Sequence, residues 1–294
     1  MVNSIAMCSD VTLGAYDIPS LFLVYGSAFV STLLYGCQFW TRLMKNDEKR
    51  LTTLQLQFLK QILHVPRSTC NCYIYLEMGV LPIIAEVHIR KLTFLHHILG
   101  LEHDDPVHRA YHQQLTYIAE KNWANECIQL REMYGIEENY EEIASVSKKA
   151  WKRRVKKRVR QKVLQDLNEE KLTMKKVSKT KAYEKMKCQE YLKKMRSDQA
   201  RLVFRVRSRM TLVKEHRKYE FAESNMQCRL CDCESETLEH ILHECASLSE
   251  PLVDVGAEYS GDIRTLEMVA ARMTEFGEKV DAVDREERDT LDTC

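Results

Sequence analysis

The chain has 294 residues, of which 45% are hydrophobic, but only 9 glycines and 5 prolines. So few turn-forming residues argue against an all-β fold, and the hydrophobic fraction excludes collagen-like, low-complexity and wholly disordered chains. The formal net charge of +1 hides a strong segregation, because residues 148–218 carry 27 basic and 7 acidic side chains, a net +20. Residues 1–147 have a net charge of −5 and residues 219–294 one of −14. The basic segment therefore needs an acidic partner: a nucleic acid, an anionic membrane or the chain's own C-terminal region.

The cysteines and the N-terminal residues indicate a reducing environment. The 11 cysteines are an odd number without the spacing of a disulfide framework, and the first basic residue is Arg42. The N-terminus therefore lacks the positive region of a secretory signal. We expect a protein of the nucleus or cytoplasm whose cysteines are free or bind metal. The nearby Cys70 and Cys72 are interpreted as unpaired thiols.

Residues 18–41 contain no charged side chain and are long enough to cross a bilayer. Basic residues follow this segment, as the positive-inside rule would require. However, one proline, two glycines and three serines dilute its apolar surface. We interpret the segment as a buried core helix, with a single membrane span as the alternative.

Helical periodicity continues along most of the chain and predicts a mainly α fold. Apolar residues recur at helical spacing in four segments: residues 47–63, Ile83–Leu99, Val107–Tyr134 and Tyr191–Lys214. We predict a linker at Glu137–Glu142 and a flexible connection at Lys171–Lys187. A short amphipathic helix from Ile263 is predicted to precede a disordered acidic tail.

These patterns divide the chain into five predicted regions. They are an N-terminal extension (1–17), a helical domain (18–135), a basic helical connector (136–218), a zinc-binding module (219–250) and the acidic tail (251–294).

The most specific motif is a set of four metal-ligand residue types in a short window. Cys228, Cys231, His240 and Cys245 follow the pattern C-x2-C-x8-H-x4-C. Two thiolates from one tight turn and two ligands from a following helix can complete a tetrahedral Cys3His zinc site. Such a site has no open coordination position, so we predict a structural Zn2+ ion. The neighbouring Cys233 and His243 are interpreted as lying outside the coordination shell.

The basic connector begins with a helix that has one apolar edge. Trp151, Val155, Val159, Val163 and Leu167 recur every four residues among cations, so one edge is predicted to be buried and the rest exposed. We predict that the cations of this helix, and four arginines of a later one, contact nucleic-acid phosphates. These residues are Lys148, Lys149, Lys152, Arg153, Arg154, Lys156, Lys157, Arg158, Arg160, Lys162, Arg201, Arg205, Arg207 and Arg209. Residues 151–162 also resemble a nuclear-import signal. The alternative is a solvated face that the acidic tail neutralises.

Five histidines in residues 96–112 form a less specific cluster. A metal site is one interpretation, because His108 and His112 are four residues apart and can share a helix face with Asp104. We favour the other interpretation, that these are surface or core histidines. Elsewhere the sequence has no Gly-rich phosphate loop, no GxSxG or HExxH motif and no strand-flanked Asp pair for two Mg2+ ions. We therefore predict no catalytic constellation.

Four blocks, in their order and spacing, resemble a known family. Ser31–Trp40 resembles the segment LLYG-x-E-x-W, Leu51–Val65 the helix L-x-x-x-Q-x-x-x-L-R-x-I-L-x-V, and Leu92–Leu99 the segment L-x-F-x-H-H-I-L. Cys228–Cys245 resembles the zinc-binding motif C-x-x-C…E-T-x-x-H-I-L-x-x-C. Over residues 20–250 the chain thus resembles the C-terminal third of a non-LTR (LINE-type) retrotransposon reverse transcriptase.

The resemblance implies that residues 20–135 form a helical thumb that grips template and primer. It also implies that the CCHC module binds RNA or target DNA. In the nucleic-acid-binding hypothesis, this module places Arg229 near the strand. Gln38 stands where the family usually has Glu, and the fingers, palm and endonuclease are missing from the sequence.

We therefore predict a nucleic-acid-binding fragment, not an enzyme, that neither polymerises nor nicks. Its expected partners are RNA or DNA and a full-length retroelement polymerase acting in trans. The alternatives are a zinc-stabilised protein-interaction module, a membrane-anchored protein and a transposon relic without function.

Overall fold

The computed structural model describes residues 16–41, 43–117, 121–178, 180–217, 226–232, 235–252 and 262–291, with side chains in the last range up to residue 285. Helices make up 67% of the structure and the described residues contain no strand, which confirms the predicted mainly α fold. A one-residue antiparallel bridge joins Gln227 and Ser235.

The helices of the described residues are numbered here in chain order. They are α1 (Ile18–Leu33), α2 (Lys45–Leu63), α3 (Asn71–Met78), α4 (Ile83–Leu99), α5 (Pro106–Thr116), α6 (Trp123–Met133), α7 (Tyr140–Ser145), α8 (Lys148–Thr173), α9 (Tyr191–Lys194), α10 (Ser197–Arg207) and α11 (Ile263–Leu291). Tyr25–Phe29 within α1 and His240–Glu244 form π-helical turns, and Cys37–Phe39 and Lys214–Arg217 form 3-10 turns.

Helix α1 covers residues 18–33 of the segment predicted as a buried core helix, and it buries one face in the core while Leu23 and Val24 are exposed. Ile18, Leu21, Tyr25 and Phe29 are buried on one face because they recur every three or four residues. Phe29 stacks on Phe58 of α2 with 4.8 Å between the ring centroids. Among the described residues no single helix is both long and apolar enough to cross a bilayer. Helices α3 and α4, bent by 58° relative to each other, meet those criteria only as a pair, by length and composition.

The helices predicted at residues 47–63 and Ile83–Leu99 are confirmed as α2 and α4. The single helix predicted from Val107 to Tyr134 is wrong, because the structure has two helices, α5 and α6, in that range. The Asn122 side chain accepts a hydrogen bond from the amide of Asn125 and so begins α6 as a new helix. The predicted apolar position Ile118 lies outside the described residues.

The acidic run at residues 137–142 is not simply a linker. Asn139 and Glu142 form a reciprocal capping box that begins α7, and Ile143 of that helix is fully buried. The prediction missed this helix because it followed the charge of the run and not the capping residues.

The apolar edge predicted for α8 is confirmed. Trp151, Val155, Val159, Val163 and Leu167 are all buried, and α8 packs along α4 and α3. The Trp151 indole Nε1 donates a hydrogen bond to the carbonyl of Leu92 at 2.7 Å. One hydrophobic core therefore extends across the boundary predicted at residue 135, from α1 to α10, and also includes Leu266 and Ala270 of α11.

The segment after α8 is packed, although a flexible connection was predicted there. Lys171 is buried, and its ammonium donates to the carbonyl of Lys181 at 2.7 Å. Val177 is fully buried, and the Tyr183 hydroxyl donates to Glu77 of α3. The polar composition concealed these few anchoring side chains.

Glu77 is the centre of a buried polar network that fixes this segment to α3. Its carboxylate accepts hydrogen bonds from the hydroxyls of Tyr183 and Tyr191 and from Nη2 of Arg207, the last at 2.8 Å. Burial alone would lower the pKa of Arg207, but the Glu77 charge raises it above its ordinary value. Next to Glu77, the segment also passes close to the backbone of Gly79, which has a φ of +63°.

The C-terminal helix contributes most of its buried residues to a second core, so the prediction of a short helix and a disordered tail is wrong for residues 262–291. Helix α11 is 29 residues long and packs on α10 and on the turn that carries His240. Phe276, Met273 and Val269 of α11 are buried against residues of the predicted zinc module. The predicted boundary at residue 250 therefore cuts through one hydrophobic cluster. Residues 253–261 and 292–294 lie outside the described part.

Candidate metal centre and nucleic-acid interface

The structure brings the four residues of the C-x2-C-x8-H-x4-C pattern together. One ligand atom from each of Cys228, Cys231, His240 and Cys245 lies within 4.8 Å of all the others. The Sγ atoms of Cys228 and Cys245 are 3.9 Å apart, and Sγ of Cys231 is 3.3 Å from Nε2 of His240. A tetrahedral zinc ion with usual bond lengths separates two sulfurs by about 3.8 Å, and a sulfur and a nitrogen by about 3.5 Å. The spacing of these atoms therefore fits a tetrahedral metal ion.

Local backbone geometry aims the four side chains at one point. The amide of Asp232, a residue with a φ of 58°, donates to the carbonyl of Cys228 at 2.9 Å and closes the first turn. The amide of His240 donates to the Thr237 hydroxyl at 3.0 Å, which begins the following helical turn. The amide of Cys245 then donates to the carbonyl of His240 at 2.8 Å. Two hydrogen-bonded turns thus position all four ligands.

The chemistry of the cluster also fits a soft divalent cation. Cys228 and Cys245 are buried, and burial raises the pKa of Cys228 to about 12 and raises that of Cys245. Buried thiols of this kind ionise only beside a strong positive charge, and a bound metal ion supplies one. Oε2 of Glu244 lies 3.8 Å from the Nδ1 atom of His240, the side away from the cluster. A carboxylate in that position commonly orients a ligating histidine.

Of the two residues considered as substitutes, His243 does not join the cluster. Nδ1 of His243 lies 2.7 Å from the carbonyl oxygen of Leu252. Cys233 lies outside the described residues.

Sequence reasoning missed that Glu236 supports the metal-binding turn. Its side chain is fully buried, and its carboxylate accepts from Nη2 of Arg229 at 2.7 Å and from the amide of Lys214 at 2.9 Å. The Arg229 guanidinium also lies over the Phe276 ring, 5.8 Å from its centroid. The expectation that Arg229 lies near a nucleic-acid strand is therefore corrected: this side chain joins the metal turn to α11.

A second missed residue, Arg272, fixes α11 to the same module. Its side chain is buried and donates from Nε to the carbonyl of Ile241 at 2.6 Å and from Nη2 to that of Cys245 at 3.3 Å. Two turns later, Lys279 donates to the carbonyl of Ser247 at 2.6 Å. The sequence feature that indicates this role is that Arg272 is a single arginine among the apolar positions of α11.

The cationic surface of α8 faces solvent as predicted. Of its ten predicted phosphate-binding cations, eight are exposed and Lys156 and Lys162 are half-buried. Two of the ten form ion pairs on the surface, Arg154 with Glu138 at 2.9 Å and Lys162 with Asp166 at 2.8 Å. Among the described residues, the acidic helix α11 packs on α10 and on the turn that carries His240 and has no extensive contact with α8, so residues 262–285 do not provide the neutralisation considered as the alternative.

A groove between α4 and α8 collects part of this charge. It has a volume of about 480 Å3, and Lys148, Lys152 and Lys156, one helical turn apart, line it on the α8 side. Arg90 and Phe94 of α4 line the opposite side. His97, Ile89, Thr93, Gln38 and the acidic Glu86 complete the lining.

An aromatic cluster adjoins the groove through Phe94, which is part of its lining. Phe94 packs edge-on against Phe39, with 4.9 Å between the centroids, and Phe39 is 60% exposed. Trp123 packs edge-on against Phe94, with 5.9 Å between the ring centroids, and its indole donates a hydrogen bond to the carbonyl of Gln38 at 2.7 Å. The groove therefore combines cations, an aromatic surface and polar side chains.

The four predicted arginines after α8 are not on a free cationic face. Arg201 is buried and donates to the carbonyl of Ile62 at 3.0 Å, and Arg205 donates to the carbonyl of His64. Arg207 pairs with Glu77, as described above. Arg209 lies 3.6 Å from Glu215, with about a quarter of its side chain exposed. The expectation that these arginines are displayed is corrected, because they hold α10 and the residues after it in place.

The histidine cluster separates into different environments. The rings of His103, His108 and His112 are in contact, with 4.9 Å and 4.4 Å between successive centroids, and His108 is buried. His96 stacks on Trp151. Within the described part of the chain, no group with metal-binding geometry includes these histidines.

Comparison of the chain with protein-family models, with curated proteins and with solved structures finds no match in any of the three.

Proposed function

We propose that the protein binds nucleic acid through the exposed cations of α8 and the groove beside them, with a structural Zn2+ ion in the Cys3His cluster. The observation that carries this proposal is the ten-cation surface of α8, whose apolar edge is buried while most of its cations remain in solvent. A surface of this kind attracts phosphates and releases their counterions.

The α4–α8 groove favours an unpaired strand over a duplex. Lys148, Lys152 and Lys156 would contact successive phosphates, while the exposed Phe39 ring and Phe94 offer a stacking surface for a base. The bases of a duplex are stacked on their neighbours and are not free to stack on these rings. RNA loops and single-stranded DNA ends are therefore the preferred ligands in this proposal.

The zinc ion would have a structural role. Cys228, Cys231, His240 and Cys245 would hold it, and it would supply the positive charge that keeps the buried thiolates ionised. The arginines nearest to the cluster, Arg229 and Arg272, contact the chain itself. In this proposal the metal stabilises the second core and does not contact the strand.

The proposal agrees with the resemblance to the thumb and CCHC region of a LINE-type reverse transcriptase. We propose that the chain derives from such a protein and binds RNA or DNA, in the nucleus or cytoplasm, without polymerase or nuclease chemistry. A full-length retroelement polymerase acting in trans remains a proposed partner.

The test is a fluorescence-anisotropy titration of the purified chain against single-stranded RNA and duplex DNA at several salt concentrations. Binding of single-stranded RNA should weaken steeply with salt, since each neutralised phosphate contributes about 0.7 to the logarithmic slope. Metal content is measured on the same sample and should be about one zinc per chain.

Two triple variants separate the groove from general electrostatics. Lys148, Lys152 and Lys156 are changed to alanine in one variant, and Lys149, Arg153 and Lys157 in the other. Both remove three cations one helical turn apart, but only the first set lines the groove. We expect the groove variant to lose more affinity for the single strand. Equal losses would contradict the groove, and no binding at low salt would favour a zinc-stabilised protein-interaction module.

A further inference from the structure

Cys70 and Cys72 lie together at the beginning of α3, far along the chain from the metal cluster. Cys70 is the residue before the first turn of the helix, and Cys72 lies within that turn. Their Sγ atoms are 3.1 Å apart. Two sulfurs that merely touch are farther apart than this, and a disulfide bond of about 2.05 Å requires a movement of only about 1 Å.

The two thiols differ in accessibility. Cys72 is fully buried, whereas Cys70 is half-exposed and can be reached from solvent. An attack from outside therefore meets Cys70 first, and Cys72 is placed behind it as the second thiol.

The surroundings stabilise a thiolate at Cys70. The hydrogen bond from the Cys72 thiol, assisted by backbone amides of Cys72 and Tyr73, lowers the pKa of Cys70 to about 6, against the opposing effects of burial and of Glu170. The same hydrogen bond and burial raise the pKa of Cys72. The ammonium of Lys60, which donates to the carbonyl of Arg67 at 2.6 Å, is a further nearby charge. At neutral pH the pair is thus one thiolate and one thiol.

The other described cysteines outside the metal cluster lack these features. Cys37 and Cys127 are fully buried, and burial raises the pKa of each. Cys188 is half-exposed like Cys70, but burial raises its pKa to about 11. Cys188 is therefore a natural internal control.

We propose that Cys70 and Cys72 form a thiol–disulfide exchange site for small-molecule disulfides of the glutathione class. The Cys70 thiolate attacks one sulfur of the disulfide RSSR, which forms a Cys70–SR mixed disulfide and releases RS⁻. The Cys72 thiol gives its proton to RS⁻ and attacks Sγ of Cys70, which forms the Cys70–Cys72 disulfide and releases the second RS⁻. Two cysteine thiols lose two electrons in total, and RSSR gains them as two thiols.

The test uses the full-length, zinc-loaded chain in buffers with increasing ratios of oxidised to reduced glutathione. Free thiols are then alkylated and the chain is digested with trypsin. The fragment from Ser68 to Arg90 contains both cysteines and no other. We expect this fragment to become two hydrogen atoms lighter, without alkyl groups or attached glutathione.

Two serine variants identify the order of attack. Cys72→Ser should stop at the glutathione mixed disulfide on Cys70, and Cys70→Ser should give neither product. In the reduced protein at neutral pH, Cys70 should be alkylated roughly 50-fold faster than Cys188, because its larger thiolate fraction outweighs the lower nucleophilicity of that thiolate. Circular dichroism of each variant checks that the helices are retained.

Two results would overturn the proposal. One is a Ser68–Arg90 fragment that remains doubly alkylated in every redox buffer. The other is a Cys70 alkylation rate equal to that of Cys188.

Discussion

Neutralising the buried Glu77 side chain should lower the free energy of unfolding strongly, although the substitution changes only one atom position. Its carboxylate lies 2.8 Å from the Arg207 guanidinium, and their side chains are 0% and 11% exposed. At an effective dielectric constant of about 20, this separation corresponds to an attraction on the order of 6 kcal/mol, offset in part by the cost of desolvating both charges. Glu77→Gln keeps the shape, removes the Glu77 charge from beside the buried Arg207 and turns an amide donor toward groups that donate. The expected loss of unfolding free energy is about 3–5 kcal/mol.

Urea denaturation followed by far-ultraviolet circular dichroism measures this loss. A matched control is Glu190→Gln, which breaks the Lys194–Glu190 pair at a similar 2.7 Å but with both side chains more than half exposed. The control should cost no more than about 0.5 kcal/mol. A loss below about 1 kcal/mol for Glu77→Gln would refute the view that this network fixes residues 183–207 to α3.

Replacing Arg207 tests whether this residue has a structural role or contacts nucleic acid. If Arg207 is structural, Arg207→Met destabilises the chain but leaves the salt dependence of RNA affinity unchanged under conditions where the variant is folded. A residue that contacts a phosphate would instead reduce the logarithmic salt slope by about one when removed.

Three further perturbations follow from particular contacts. Gly79→Ala should lower the free energy of unfolding by at least about 2 kcal/mol in a urea titration, because φ is +63° and the new Cβ would lie 2.1 Å from the amide nitrogen of Cys188. An unchanged urea midpoint would contradict that geometry. Cys231→Ser, or a zinc chelator, should abolish metal binding and remove the hydrogen-exchange protection of α11, while α2 and α4 stay protected. Loss of protection in all three helices would argue against two separate cores. His88 and His216 are neutral in the folded state, since burial lowers the pKa of His88 to about 4 and that of His216 to about 3. Both bind protons more readily when unfolded, so stability should be full above about pH 6.5 and fall by about 1.4 kcal/mol per pH unit for each histidine as the pH drops toward 4. His88→Gln should flatten the acid limb of a stability–pH curve by about half, and an unchanged limb would exclude His88 as its source.

Local patterns made part of the structure predictable. The apolar step of four along α8 was unambiguous because cations surround every apolar residue, and all five predicted positions are buried. The four metal-ligand types were predictable because their backbone is positioned by two short turns within 18 residues. In both cases the deciding interactions lie close together in sequence.

Long-range contacts account for most of the errors. Arg201 and Arg205 follow a pattern typical of an exposed cationic face, but their partners Ile62 and His64 lie about 140 residues away. The acidic composition of residues 251–294 indicated disorder, whereas burial of Phe276 and the hydrogen bonds of Arg272 depend on a module earlier in the chain. Composition does not reveal such partners, because they are set by the tertiary arrangement.

The length of the cationic part of α8 sets a footprint for its ligand. The ten cations occupy residues 148–162, which at 1.5 Å per residue extend for about 22 Å along the helix. A duplex of that length has six or seven base pairs and about 13 phosphates, of which one side faces the protein. Affinity for a duplex should therefore rise with its length up to about seven base pairs and level off beyond it. Longer strands would carry several copies of the chain side by side, so this one helix determines how densely the protein covers its ligand.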